Sequence, residues 1–242
     1  MLHKLLEYNL NTSLEENFNR ALNLCEQELS HQGLLELLST GSVAEKQFAA
    51  LSLDEIRNEK EAEVFIFNLT DCDGKIREAV ASRLEEFLSG ACGKFFLPYY
   101  KKFADATIDI NANISRMVID ALIYFKQEHS FNKNYSKILL GFVEEAFEEI
   151  AKIKFRDKKY VLNKQLFKMY WALEGLLIVK DYVEKKYLHR IISRVLARPE
   201  YTIREKAALI LVSFKDDDEF LDLLKLIEND ENFYVRRVVR GL

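Results

Sequence analysis

The chain of 242 residues is long enough for one elongated domain or two small globular ones, and its 49% hydrophobic content excludes a disordered protein. Only two prolines and eight glycines occur, a composition that favours helices joined by short turns over sheets. The opening MLHKLLEYNL is too short and too charged for a signal peptide, and no run of about 18 apolar residues follows. We therefore expect a soluble, cytoplasmic protein with no membrane partner.

The formal net charge of −4 conceals a difference between the two parts of the chain. Residues 1–150 contain 15 Lys+Arg and 25 Asp+Glu, a net charge of −10, whereas residues 151–242 contain 20 and 14, a net charge of +6. A basic segment of this kind is typical of a surface for nucleic acid or for an acidic protein, and also of lysines that only solvate helix faces.

The first 30 residues are predicted to form capping helices, with Thr12 or Ser13 as an N-cap and Glu15 and Glu16 in the first turn, where the helix dipole favours acids. From residue 31 onward one pattern recurs, in which apolar residues follow an opening apolar residue at four, five and eight positions, as on one helical face. We call the opening residue the anchor. The anchors are Val43, Ile76, Ile114, a weaker Leu162, Ile203 and Val235, at intervals of 33, 38, 48, 41 and 32 residues.

Three segments share a polar turn that leads into a β-branched residue and an arginine: TDCDGKIREAVASRL, RPEYTIREKAALIL and NDENFYVRRVV. With them the chain resembles the HEAT-repeat family over residues 31–242, although Leu162-Asn163 departs from the pattern in the fourth unit. The resemblance implies an all-α fold, a right-handed α-α superhelix of about six helical hairpins that forms one solenoid domain over residues 1–242. It also implies that Asp73 with Arg77, and Asp230 with Arg236, brace the stack as a structural ladder.

Motifs for catalysis and for cofactors are missing from the sequence. It contains no GxGxxG, GxxxxGK[ST], GxSxG or HExxH, and the three cysteines and four histidines are scattered without the spacing of a metal site. We therefore predict no catalytic residue, no cofactor and no metal, and cysteines that remain free thiols.

In such a superhelix the second helix of each hairpin lines the concave groove, so its residues that point away from the apolar stripe are candidates for binding a partner. Lys46 lies in this register, and acids such as Glu45, Glu78 and Glu205 are interspersed with the cations. The predicted groove residues are Arg83, Arg116, Lys164, Lys168, Tyr170, Trp171, Lys206 and Arg237.

These residues favour a non-catalytic scaffold or adaptor that holds an acidic segment of a protein partner in the groove. One alternative is a nucleic-acid-binding protein related to alkylpurine DNA glycosylases, HEAT-like proteins that use tryptophans and an aspartate in a basic groove. Against it, Trp171 is the only tryptophan, no Trp-x-x-x-Asp pattern occurs, and the pI of about 5.7 is low. Another alternative is a regulatory subunit or an assembly chaperone of an enzyme.

Overall fold

The computed structural model describes residues 14–153 and 159–240, and over these residues the fold is all-α, as predicted. Thirteen α-helices and several short 3-10 turns make up the described chain, with no strand among them. The contacts divide the chain into two compact units, with the boundary between Phe125 and Lys126. The predicted N-cap at Thr12 or Ser13 lies outside the described residues.

Unit 1 is built from hairpins whose second helices pack on one another. Helix α2 pairs with α3, the 3-10 turn Asn68–Thr70 at the end of α4 packs on α5, and α6 pairs with α7. In one layer α1 packs on α3, α3 on α5 and α5 on α7, and in the other layer α2 packs on α4. The helices are α1 Leu14–Cys25, α2 His31–Thr40, α3 Val43–Ser52, α4 Glu59–Phe67, α5 Gly74–Ser89, α6 Tyr100–Thr107 and α7 Ala112–Ala121.

Unit 2 repeats this organisation. Helix α8 pairs with the long α9, α10 with α11 and α12 with α13, while α9 packs on α11 and α11 on α13 in one layer of second helices. The 3-10 turn Lys180–Tyr182 follows α9, and the hydroxyl of Tyr182 donates to the carbonyl of Lys126 at 2.7 Å. The helices are α8 His129–Ala151, α9 Lys159–Val179, α10 Lys185–Leu196, α11 Tyr201–Val212, α12 Leu221–Glu228 and α13 Phe233–Arg240.

The sequence marks where the second helices begin. Val43 is the first residue of α3, and the other strong anchors are the third residues of their helices. Side chains cap these starts in unit 1: Ser42 forms a capping box with Glu45, and Asp73 accepts from the backbone N–H of Lys75 at 2.8 Å. Four anchors are at most 2% exposed, which confirms that they belong to the core: Ile76, Ile114, Ile203 and Val235.

A ladder of ion pairs joins successive hairpins inside each unit. The Nε and Nη2 atoms of Arg77 donate to both carboxylate oxygens of Asp109 at 2.6 and 3.1 Å, and Arg204 forms the same fork with Asp230 at 2.7 and 2.9 Å. Lys46 lies 3.1 Å from Asp71 in a third rung. These pairs are largely buried, so removing one partner leaves an uncompensated charge that costs about 3–5 kcal/mol.

The structural ladder is thus present, but the partners predicted within one hairpin are wrong. Arg77 reaches Asp109 of the next hairpin while Asp73 caps α5, and the carboxylate of Asp230 pairs with Arg204. In the predicted pair with Asp230, Arg236 donates only to the backbone carbonyl. Lys46, predicted in the groove, is only 5% exposed and belongs to the ladder. Sequence spacing identified the right residue types but could not reveal that a guanidinium spans the distance to the following hairpin.

The aspartates of two rungs titrate below their usual range. Burial alone would raise the pKa of Asp230, but hydrogen bonds from Arg204 and from the backbone N–H of Asn232 outweigh it and lower the pKa. Burial likewise acts to raise the pKa of Asp71, and the hydrogen bonds from the Asp73 backbone and from Lys46 outweigh it. Both carboxylates therefore stay charged at neutral pH and maintain their ion pairs with Lys46 and Arg204.

Candidate partner-binding surface

The two units differ most at the residue that lies two positions before each anchor, in or next to the first turn of each second helix. In unit 1 this position is held by the small residues Gly41, Gly74 and Ala112. In unit 2 every second helix has an aromatic residue there, and all three are solvent-exposed: Tyr160 is 73% exposed, Tyr201 42% and Phe233 56%. Tyr201 and Phe233 lie at the same edge of their layer, whereas Lys206 of α11 contacts Tyr170 and Glu174 of α9, so Tyr160 lies about two helical turns beyond that edge.

A fourth aromatic residue extends this edge. The ring of Tyr234 stacks on Tyr201 at 6.0 Å between centroids and meets Phe233 edge-on at 5.7 Å, while remaining 47% exposed. The guanidinium of Arg237 lies 4.9 Å from the centre of the Tyr234 ring. We call Tyr160, Tyr201, Phe233 and Tyr234 the aromatic row.

Charged residues line the next helical turn, four positions after the first residue of the row on each helix. They are Lys164, Glu205 and Arg237, so two of the predicted groove cations lie beside the row. Lys164 is exposed, and the Arg237 side chain is 43% exposed with a carboxylate oxygen of Glu205 at 3.8 Å. A pair this long and this exposed contributes little to stability, so Arg237 remains available to a ligand.

Deeper in the same layer the structure brings together three other predicted residues, Tyr170, Trp171 and Lys206. The Nζ of Lys206 lies 2.5 Å from a carboxylate oxygen of Glu174 and 4.7 Å from the Tyr170 ring centre. Burial alone would lower the pKa of Lys206, but its hydrogen bonds to Glu174 and Tyr170 outweigh this effect and raise the pKa. Lys206 is therefore charged and neutralised within the protein.

Trp171 belongs to the core of unit 2. It is 6% exposed, packs edge-on against Tyr170 at 5.3 Å and Phe167 at 6.1 Å, and its indole N–H has no acceptor among the described residues. The indole therefore offers no free face to a ligand. The aromatic anchor predicted at Tyr170 and Trp171 thus combines a half-buried tyrosine with a buried tryptophan, and the exposed aromatic side chains of this layer are those of the aromatic row.

The remaining predicted residues lie elsewhere. Lys168 turns toward α8, where its Nζ contacts Glu145 at 2.5 Å and lies 4.9 Å from the centre of the Phe142 ring. Arg83, in unit 1, donates to the carbonyl of Leu53 at 2.9 Å, so that it fastens the C-terminal end of α3 to α5. Arg116 is exposed on α7 of unit 1.

Sequence reasoning missed all four members of the aromatic row. The signal was present, because the position two before the anchor reads Gly, Gly, Ala in the first three units and Tyr, Tyr, Phe in the last three. Periodicity that is counted from the anchor onward does not include this position. The position is informative since an exposed first turn contributes nothing to the stripe that packs between helices.

The surface combines exposed aromatic rings with neighbouring charged side chains. Within residues 14–153 and 159–240 no group of three His, Cys, Asp or Glu side chains is arranged to hold a metal ion. Over the same part of the chain no helix has the length and apolar character needed to cross a membrane. Stacked tyrosines with an adjacent arginine form the composition that dominates protein-binding hot spots.

No protein-family model matches this chain, and no curated protein sequence is significantly similar to it. Among solved structures, that of an engineered protein determined by a structural genomics consortium matches over 88% of this chain and 94% of its own, with 14% sequence identity and a TM-score of 0.44.

Proposed function

We propose that this chain is a non-catalytic protein-binding scaffold, an α-solenoid of HEAT-like hairpins that holds a partner against the second helices of unit 2. The observation that carries this proposal is the aromatic row, in which three successive second helices each expose an aromatic side chain in the first turn. Stacked second helices inside each unit and the repeated arginine–aspartate rungs support the solenoid itself.

The aromatic row provides enough apolar surface to anchor a partner. Tyr201, Phe233 and Tyr234 are in contact, and from their exposed fractions they present on the order of 300 Å² of contiguous aromatic surface. A patch of this size on a soluble protein is often functional. Tyrosine and phenylalanine lose few rotamers on binding, so each ring that inserts into a partner contributes contact area with little entropy loss.

The charge beside the row favours an acidic partner. Lys164 and Arg237 flank the rings, and residues 151–242 carry a net charge of +6. Cations at the rim of an apolar patch attract acidic segments and orient them as they approach. Lys206 is paired with Glu174, so it stabilises the packing of α11 on α9 and does not contact the ligand.

Protein is the preferred ligand class over nucleic acid for two reasons. Lys168 and Lys206 are already paired with carboxylates, which leaves few cations for phosphates, and the one tryptophan is buried.

The three cysteines are free thiols, as in the reducing cytoplasm that the sequence favours.

The test is affinity capture with a variant of the row. Tyr160→Ala, Tyr201→Ala and Phe233→Ala together remove most of the apolar patch without touching a buried residue. The matched control is Ile110→Ala, Ile123→Ala and Tyr124→Ala, three comparably exposed residues of unit 1. We expect the same protein partners to be recovered by the wild type and the control, and to be lost with the row variant.

Two results would oppose the proposal. One is recovery of the same partners by the row variant at wild-type levels. The other is a ligand that disappears after nuclease treatment and whose recovery depends on the row, since stacked aromatic residues also bind single-stranded nucleic acid. Circular dichroism of all three proteins establishes that the helices are unchanged.

A further inference from the structure

Three arginines occupy the position directly after the anchor and use one guanidinium nitrogen in the same way. The Nη1 of Arg77 donates to the carbonyls six and five residues before it, at 2.9 and 3.2 Å. Arg204 makes the same two bonds at 2.8 and 2.8 Å, and Arg236 makes them at 2.5 and 2.8 Å. All three guanidinium groups are therefore held in the same orientation by their own hairpin.

The three arginines differ in what the other edge of the guanidinium, formed by Nε and Nη2, contacts. Nε and Nη2 of Arg77 hold Asp109, and those of Arg204 hold Asp230, whereas the same two atoms of Arg236 have no partner within the described part of the chain. Among the described residues, Arg236 is thus a rung with an unfilled carboxylate position.

The filled rungs show what kind of group this position accepts. Oδ1 of Asp109 accepts from the backbone N–H of Asn111 at 2.8 Å, and Oδ1 of Asp230 accepts from that of Asn232 at 2.8 Å. Each of these asparagines then caps the following helix, at 3.0 and 2.9 Å. The ligand of a rung is therefore an Asp-x-Asn or Asp-x-Asp turn that opens a helix, the pattern that Asp71 and Asp73 also follow.

The surroundings of Arg236 are apolar and only partly covered. Val239 is half-buried, although the equivalent Val80 of α5 and Ala207 of α11 are completely buried. Leu226 of α12 is 57% exposed. Its equivalent in α4, Phe67, is 52% exposed, and the ammonium group of Lys102 of the next hairpin lies 4.5 Å from its ring centre. We call the surface formed by Leu226, Arg236 and Val239 the terminal face.

We propose that the terminal face binds an Asp-x-Asp or Asp-x-Asn turn that opens an amphipathic helix of a partner protein. The aspartate fills the Nε and Nη2 fork of Arg236, and the apolar side of the helix covers Leu226 and Val239. The rung aspartates of this chain are already bound, by a lysine or an arginine each: Asp71, Asp109 and Asp230. None of these three is available to Arg236, and the terminal face is a site separate from the aromatic row.

The probe is a fluorescein-labelled peptide of residues 69–89 of this sequence, which contains the Asp71 turn and the following helix. Cys72→Ser prevents oxidation, and a lactam between Glu78 and the lysine introduced by Ser82→Lys, both at exposed positions, keeps the peptide helical. Fluorescence anisotropy with the full chain should give saturable binding. Changing Asp71→Asn in the peptide should weaken it about tenfold or more, because the bidentate carboxylate is lost while the protein is unaltered.

Variants of the protein complete the test. Arg236→Ala and Arg236→Lys should each weaken binding about tenfold, because lysine keeps the charge but cannot form the fork. Lys133→Ala, which removes an exposed cation from α8, should leave the affinity within about twofold of the wild type.

Three results would overturn the proposal. One is the absence of saturable binding to the wild-type chain, and another is an affinity that Asp71→Asn in the peptide leaves unchanged. The third is a chain that self-associates in sedimentation experiments and dissociates with Arg236→Ala. This last result would mean that a second copy, and not a partner protein, occupies the terminal face.

Discussion

The last hairpins of the two units use the same register position in opposite ways. In unit 1 the position after the anchor of α7 holds Ser115, which is completely buried and donates through its hydroxyl to the carbonyl of Asp109 at 3.2 Å. In unit 2 the same position of α13 holds Arg236, whose guanidinium is half satisfied. One hairpin thus closes the rung position with a small neutral residue, and the other presents a cation.

The same contrast appears in charge and at the edge of the second helices. Residues 1–125 carry 12 Lys+Arg and 20 Asp+Glu, whereas residues 126–242 carry 23 and 19. Two positions before the anchors, unit 1 has glycine or alanine where unit 2 has Tyr160, Tyr201 and Phe233. Both units thus share the same packing of second helices and the same ion-pair ladder. Unit 2 differs from unit 1 at positions that this packing does not depend on. Binding functions are expected at such positions.

The largest effect on stability is expected when a filled rung is broken. Arg204→Ala leaves Asp230 buried without its cation and should lower the free energy of unfolding by about 3–5 kcal/mol, and Arg77→Ala should do the same in unit 1. Arg236→Ala, at the same register position, should lower it by only about 1 kcal/mol, because only bonds to carbonyls are lost. Urea unfolding followed by circular dichroism measures all three, and equal losses would remove the distinction between filled and unfilled rungs.

Acid should weaken the ladder in both units. The pKa values of Asp71 and Asp230 are lowered in the folded protein, so the stability they contribute is fully present above their unfolded-state values near pH 4. It is lost as the pH falls through the lower folded-state values. Urea unfolding between about pH 6 and about pH 2.5 should show this decline, and Asp230→Asn should flatten it. A stability that is independent of pH over this range would contradict the assignment.

A smaller effect separates the helix starts of the two units. Side chains cap α2, α3, α4, α5 and α7 in unit 1, with α6 as the exception, whereas α8, α10, α11 and α12 in unit 2 begin without a side-chain cap, with α13, capped by Asn232, as the exception. Ser42→Ala should lower the free energy of unfolding by about 1 kcal/mol, and Glu184→Asp at the start of α10 should raise it by about 0.5 kcal/mol. Thermal unfolding of the two variants measures the direction of each stability change. A loss of stability with Glu184→Asp would contradict the difference in helix capping between the two units.

The smallest effect on stability is expected in the aromatic row. Tyr201→Ala removes one exposed stacked pair with Tyr234, so the free energy of unfolding should fall by at most about 1 kcal/mol. Partner binding should nevertheless weaken strongly, since a ring of a hot spot contributes far more at an interface than on a free surface. A large loss of stability would mean that the row serves the fold and not recognition.

Much of the frame was predictable because it depends on short-range periodicity. The anchors identified the second helices, and Ile76, Ile114, Ile203 and Val235 are buried as the apolar stripe required. The partners of the ladder were not predictable, since Arg77 and Asp109 are 32 residues apart and nothing in either segment specifies which aspartate a guanidinium reaches.

The candidate site was only partly predictable for a related reason. Helix α9 is apolar on most of its surface, so periodicity could not decide whether Trp171 or Tyr160 is exposed, and the structure buries the first and exposes the second. Lys206 was predicted from its register, but its neutralisation by Glu174 depends on the packing of α9 against α11. Exposure and pairing are properties of tertiary packing, which the sequence pattern does not contain.

The aromatic row of unit 2 is the surface on which partner binding is expected to depend. Isothermal titration of a captured partner against the row variant and against the matched unit 1 control tests this dependence most directly. We predict a dissociation constant at least about 100-fold weaker for the row variant and within about twofold of wild type for the control. Equal affinities for the two variants would contradict a binding role for the row.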